Sequence, residues 1–149
     1  ASVQNRTGVF SFARYEEKFY SSDRDIISDR NLIIWRSCKV MVHEIAHMFG
    51  LRHCIFFDCI MNGSNNLEEN DRKPLFLCPV CVRKLQHAIG FQMLNRYQLL
   101  AETCSEIGGK FEEAAEWYQK VYKLLVEAYG PHYITDKKTH QTVKIKSYN

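Results

Sequence analysis

The chain is predicted to have an α+β fold: a partial sheet, one long helix, a cysteine-bearing loop and a C-terminal helical hairpin. Three observations predict it. "TGVFSFARY" (Thr7 to Tyr15) is rich in aromatic and β-branched residues that alternate loosely, which reads as a strand. The run from Asn31 to Phe49 contains neither Gly nor Pro, as a long helix requires. Arg83 to Gly108 and Lys110 to Gly130 are two amphipathic segments divided by Gly108-Gly109, and Pro131 stops the second.

Each element follows in order. "EEKFYSSDRDIISDR" after the strand is polar and turn-rich, so it reads as a loop. Ser28 or Asp29 can cap the helix that starts near Asn31, and apolar residues on nearly every face predict that this helix is mostly buried. Gly50 is a natural stop, because it takes a left-handed backbone without a Cβ penalty. Cys54 to Cys81 contains Gly63, Ser64, paired Asn and Pro74, and reads as a loop short of core residues, held by something other than burial. Two long helices joined by a short turn should form a hairpin. The expected organisation is a core over residues 1–82, the hairpin over 83–133, packed on or appended to it, and a flexible tail over 134–149.

Bulk composition narrows the function. Hydrophobic residues make up 46% of 149 and charged residues 25%, an ordinary globular mixture. A net charge of +3 with scattered basic residues argues against a nucleic-acid partner. No segment reaches the roughly 20 apolar residues that span a bilayer, so no membrane partner is expected. The start, "ASVQNRTGVF", lacks a charged region followed by an apolar run, and no signal peptide is expected there. The cysteine spacing, together with that start, favours metal binding in a reducing, intracellular compartment, cytoplasmic or nuclear.

"HEIAHMFGLRHCIFFDCIM" carries the chemistry. His43 and His47 are four residues apart, on one face of a helix, and can bind one metal from the same side. Glu44, about 100° round the helix, can hold a water there without ligating. After the Gly50 turn His53 can supply a third ligand, completing H-E-x-x-H-x-x-G-x-x-H. Three protein ligands with an open fourth position distinguish a catalytic zinc site from a structural one. Directly after His53, Cys54 and Cys59 (C-x4-C) and then Cys78 and Cys81 (C-x2-C) have the spacing of a closed four-thiolate zinc site. Two zinc ions are therefore expected. Cys38 and Cys104 have no partner at such spacing and read as small buried residues; His87, His132 and His140 belong to no motif.

"HEIAHMFGLRHC", followed by "CIM" and "CPVC", resembles the archaemetzincin family of zinc metallopeptidases, within the metzincin clan. The resemblance covers roughly Thr7 to Tyr133. It implies a zincin-like α+β fold and peptide-bond hydrolysis by zinc-activated water, on a peptide or protein substrate. It implies catalytic zinc ligands at His43, His47 and His53, a general base at Glu44, and a structural zinc on Cys54, Cys59, Cys78 and Cys81. Met61 matches the Met-turn residue, an apolar floor beneath the catalytic zinc. "TGVFSFARY" looks like the edge strand along which metzincins hold substrate. Metzincins resemble one another in a larger sheet than the residues before Asn31 can build, so the core is expected to be truncated. That sets a competing expectation: a weak or inactive zinc-stabilised interaction module.

Overall fold

Helix α1 (Arg30–Met48) starts at Asp29, whose Oδ1 accepts the backbone N–H groups of Asn31 and Leu32 at 3.0 and 3.1 Å. It ends at Gly50, which takes φ +87°. There the N–H groups of Gly50 and Leu51 return to the carbonyls of His47 and Ala46 at 2.9 and 3.1 Å. These contacts come from a computed structural model that describes residues 4–5, 7–16, 19, 22 and 29–130. Four further helices follow: α2 (Leu67–Arg72), α3 (Pro79–Ile89), α4 (Met93–Ile107) and α5 (Glu112–Tyr129). The chain divides into two compact units, Ala1–Ala88 and Ile89–Asn149.

In the first unit α1 is not mostly buried, contrary to its pattern. Only Lys39, His43 and Ala46 are buried, on one stripe, while Ile34, Met41, Val42 and Ile45 are exposed. Apolar residues all round a helix call for partners all round, and among the described residues α1 has them along one stripe. Lys39 is fully buried. Its Nζ donates to the Asp71 carbonyl at 2.9 Å and lies 3.7 Å from the centre of the Trp35 ring, so a carbonyl and a π-face replace water. Arg36 grips the Asp71 carboxylate through Nε (3.0 and 3.1 Å) and Nη2 (2.6 Å), and its Nη1 donates to the Tyr15 carbonyl at 3.0 Å.

The cysteine loop also departs from expectation. It is not short of core: Cys59, Ile60, Met61, Leu77 and Cys78 are each at most 2% exposed. The loop closes on itself through Cys54 N–H to Met61 O (2.9 Å) and Ile60 N–H to Phe76 O (2.8 Å). Asn62 braces it, its Nδ2 donating to the Cys54 and Phe57 carbonyls at 2.7 and 2.9 Å while its Oδ1 accepts the Cys59 N–H at 2.9 Å. Within the same loop α2 forms from a reciprocal cap. Asn66 Oδ1 accepts the Glu69 N–H at 2.9 Å, and Glu69 Oε2 accepts the Asn65 N–H at 2.7 Å.

No strand occurs among the described residues. Thr7 forms an isolated bridge, and the strand expected over Thr7–Tyr15 gives way to a 3-10 turn at Ala13–Tyr15. Phe12 adopts helical angles there and its carbonyl accepts the Tyr15 N–H at 3.0 Å, which an extended strand cannot do. The sheet of the α+β expectation is thus not seen in the described part, which is helical.

In the second unit α4 and α5 form a helical pair, shorter than the hairpin expected over 83–133. The segment read as one helix from Arg83 to Gly108 is two, α3 and α4, because Gly90 takes φ +86° and breaks it. Helices α4 and α5 pack on each other through Leu94, Tyr97, Cys104, Ala114, Ala115 and Tyr118. The rings of Tyr97, Trp117 and Tyr118 meet at 5.4–6.1 Å, and the Arg96 guanidinium lies over Tyr97 and Tyr118. Cys104 is buried as expected, Cys38 only partly, and His87 is exposed. The tail expected over 134–149, with His132 and His140, lies outside the described residues. No described helix is long and apolar enough to cross a membrane.

Candidate metal centres

Helix α1 carries His43, Glu44 and His47, and the Gly50 turn returns the chain so that His53 meets them. The three rings form a triangle with centroids 4.6, 5.3 and 5.0 Å apart, and one nitrogen from each lies within 4.8 Å of the others. His43 Nδ1 is 2.8 Å from the Ile60 carbonyl, and His47 Nδ1 is 2.6 Å from the Leu51 carbonyl. A carbonyl can only accept, so both Nδ1 atoms carry hydrogen and donate. In the neutral rings both Nε2 atoms then present lone pairs, and these face each other at 2.9 Å. Two lone pairs so placed suit a shared cation. Tetrahedral zinc, with bonds of about 2.0–2.1 Å, would set them about 3.3 Å apart, so the donor set fits.

Burial lowers the pKa of His43, and the charges of Lys73 and His47 lower it further, against the Ile60 hydrogen bond and Glu44. The neutral, ligating form is thus favoured. His53 is exposed, and Gly63 lies against its ring: a Cβ at Gly63 would sit 3.4 Å from His53 Nδ1. Met61 is fully buried and directly follows Ile60, whose carbonyl fixes His43.

The four cysteines are all buried and none forms a disulfide. Their sulfurs lie within 4.8 Å of one another, with Cys54 and Cys78 at 3.9 Å. Zinc–sulfur bonds of about 2.3 Å in a tetrahedron give about 3.8 Å between sulfurs, so this set fits zinc too. Backbone N–H groups of Met61 and Cys78 point at Cys59 Sγ (3.5 and 3.3 Å), and that of Cys81 points at Cys78 Sγ (3.4 Å). Burial pushes the Cys81 and Cys59 thiols up, and neighbouring thiols push Cys81 further. Burial pushes Cys54 up as well, but backbone hydrogen bonds at Phe56 and Phe57 and the Cys78 and Cys81 thiols outweigh it. Four thiolates this close need a dication to coexist.

His43, Glu44 and His53 open onto one cleft of about 740 Å³. Tyr15 and Val40 also border it, and so do Ser64 through Leu67, Asn70 and Lys73. Burial and the charge of Glu44 both raise the Tyr15 pKa, which keeps that phenol protonated. Sequence reasoning singled out neither Tyr15 nor the α2 residues. The only signal available for α2 was Asn66-x-x-Glu69, a capping pattern.

Comparison with known proteins adds three findings. The family model "Peptidase family M54" matches residues 3–87. Archaemetzincin-2 of Rattus norvegicus is 42% identical over 142 residues, covering 78% of this chain and 40% of that protein. Archaemetzincin-2 of Homo sapiens is 45% identical over 121 residues (67% and 34%), and archaemetzincin-1 of Homo sapiens 44% over 81 (53% and 16%). The chain thus spans about 40% or less of the length of these relatives. No solved structure matches.

Proposed function

Because the chain belongs to peptidase family M54, the archaemetzincins, we propose that it hydrolyses peptide bonds with zinc held by His43, His47 and His53. The observation that carries this reading is the pair of opposed Nε2 lone pairs beside Glu44 in an open cleft. Zinc bound there would supply a Lewis acid that polarises a carbonyl and draws the pKa of water towards neutrality. Glu44 takes the proton of the attacking water and passes it to the leaving amine. The Ile60 and Leu51 carbonyls hold the imidazoles in the ligating tautomer. Met61, fully buried, is read as the Met-turn residue, an apolar floor beneath that zinc.

A second zinc, held by Cys54, Cys59, Cys78 and Cys81, leaves no open position and braces the loop. The substrate is a peptide or protein, with no role for nucleic acid. Free cysteines support a reducing, intracellular setting, cytoplasmic or nuclear. The test is Glu44→Gln: retained zinc by elemental analysis and a loss of about 10²-fold or more in peptide hydrolysis. Undiminished hydrolysis would remove Glu44 from this role.

A second reading is a zinc-stabilised interaction module with little or no turnover. It is favoured by the absence of any strand among the described residues, where an extended substrate would otherwise pair. Zinc-replete protein that cleaves nothing in an unbiased peptide-library digest would select it.

A further inference from the structure

The cleft has a wall that the hydrolytic step does not use, built by α2 and its flanks. Lys73 is 8% exposed, and its Nζ donates to Ser64 Oγ at 3.1 Å. It makes no ion pair among the described residues. An ammonium carries three N–H donors, so two remain. Asn70 is 3% exposed, and neither its Nδ2 nor its Oδ1 has a hydrogen-bond partner among the described residues. Native proteins rarely leave a buried carboxamide so. The Asn70 carbonyl accepts the Lys73 N–H at 3.3 Å, which sets the two residues side by side.

We propose that Lys73 and Asn70 form a subsite for a carboxylate of the peptide substrate, on the α2 wall beside the histidines. This rests on the reading of the cleft as a peptide site. The Lys73 ammonium supplies the charge, and the Asn70 Nδ2 supplies a second donor. Asn70 Oδ1 is left to accept the N–H of the adjoining peptide group. A singly charged group suits the wall better than a phosphate does, because Glu44 borders the same cleft and opposes further negative charge. Arg14, the other cation on the cleft, is exposed and lies 5.9 Å from the centre of the Phe19 ring. Burial works against the charge of Lys73 while Glu44 supports it, so a bound carboxylate completes a site that is otherwise half-compensated. The carboxylate comes from a chain terminus or from an acidic side chain.

The experiment uses the zinc-loaded Glu44→Gln protein, which keeps the cleft but not turnover, and reads peptide affinity by fluorescence polarisation. Three forms of one apolar pentapeptide are compared: free C-terminus, C-terminal amide, and amide with a single Glu. At least one carboxylate form is expected to bind about tenfold tighter than the neutral amide. Which form gains identifies the source. Lys73→Met should erase the preference and Lys73→Arg retain it. Asn70→Asp, nearly isosteric, should weaken the carboxylate forms alone and carries the test if Lys73→Met does not fold. Equal binding of all three forms would overturn the subsite, as would a preference that survives Lys73→Met or Asn70→Asp. Binding of none would overturn the peptide-site reading itself, and the subsite with it.

Discussion

Replacing Arg36 with Met should release α2 from α1 at a measurable cost. Arg36 makes three contacts of 2.6–3.1 Å with the Asp71 carboxylate and one of 3.0 Å with the Tyr15 carbonyl. The two side chains are 12% and 28% exposed. A fully exposed pair is worth about 0.2–1 kcal/mol, whereas breaking a buried pair costs about 3–5 kcal/mol. Bidentate geometry and low exposure put this pair between them, but water reaches Asp71, so the coupling should be about 2 kcal/mol. Met preserves the aliphatic packing of the stem and removes the charge. A double-mutant cycle with Asp71→Asn isolates the pair, measured by urea unfolding in excess zinc with far-ultraviolet circular dichroism. In a unit this small, 2 kcal/mol moves Tm by roughly 8–16 °C. A coupling energy under about 0.5 kcal/mol would refute the claim that this pair anchors α2. Because Asn70 and Lys73 flank Asp71, the same variant should also weaken whatever the cleft binds.

Unmutated protein should contain two zinc ions per chain, one lost on His43→Gln and the other on Cys78→Ser; elemental analysis giving one zinc would contradict this. Cys54→Ser should lower peptide hydrolysis as well as zinc content, because His53 precedes Cys54 directly and Cys54 N–H is tied to the Met61 carbonyl. Full activity in that variant would separate the two centres. In the second unit, burial raises the Tyr118 phenol above its ordinary pKa near 10. The folded state therefore holds its proton after the unfolded state has released it. The stability this contributes is complete below about pH 10 and is lost as pH rises through the raised value. Tyr118→Phe should blunt the loss of helical signal above pH 10; an unchanged alkaline transition would show that the phenol plays no part.

The legible parts of this chain are those whose cause is local. Asp29 and Gly50 bound α1 because a carboxylate cap and a left-handed glycine act within a few residues of themselves. His43 and His47 come together because four residues make one helical turn. Other features depend on distant partners. Lys39 is fully buried with its ammonium on the carbonyl of Asp71, 32 positions away, and beside the Trp35 ring. Nothing in "TGVFSFARY" reveals that Phe12 turns helical. Gly90 sits inside a helical pattern, and its left-handed angles split the segment in two. Helix α2 was readable from Asn66 and Glu69 but was hidden by the turn-forming residues around it. With it went Asn70 and Lys73, which reach the cleft only through that helix.

Asn62 braces the cysteine loop through both ends of its carboxamide, and Gly63 follows it. Asn-Gly is a dipeptide prone to ageing, because the unhindered glycine nitrogen can attack the side-chain carbonyl and expel ammonia. In the closed loop the Asn62 oxygen is committed to Cys59 and its nitrogen to Cys54 and Phe57, which holds the carboxamide away from that attack. An opened loop loses the protection. The resulting aspartate would turn acceptors towards two carbonyls, and the loop could not close as before. Storage without metal should therefore leave a chemical scar at Asn62 that later metal cannot undo, and peptide mapping of aged samples would reveal it.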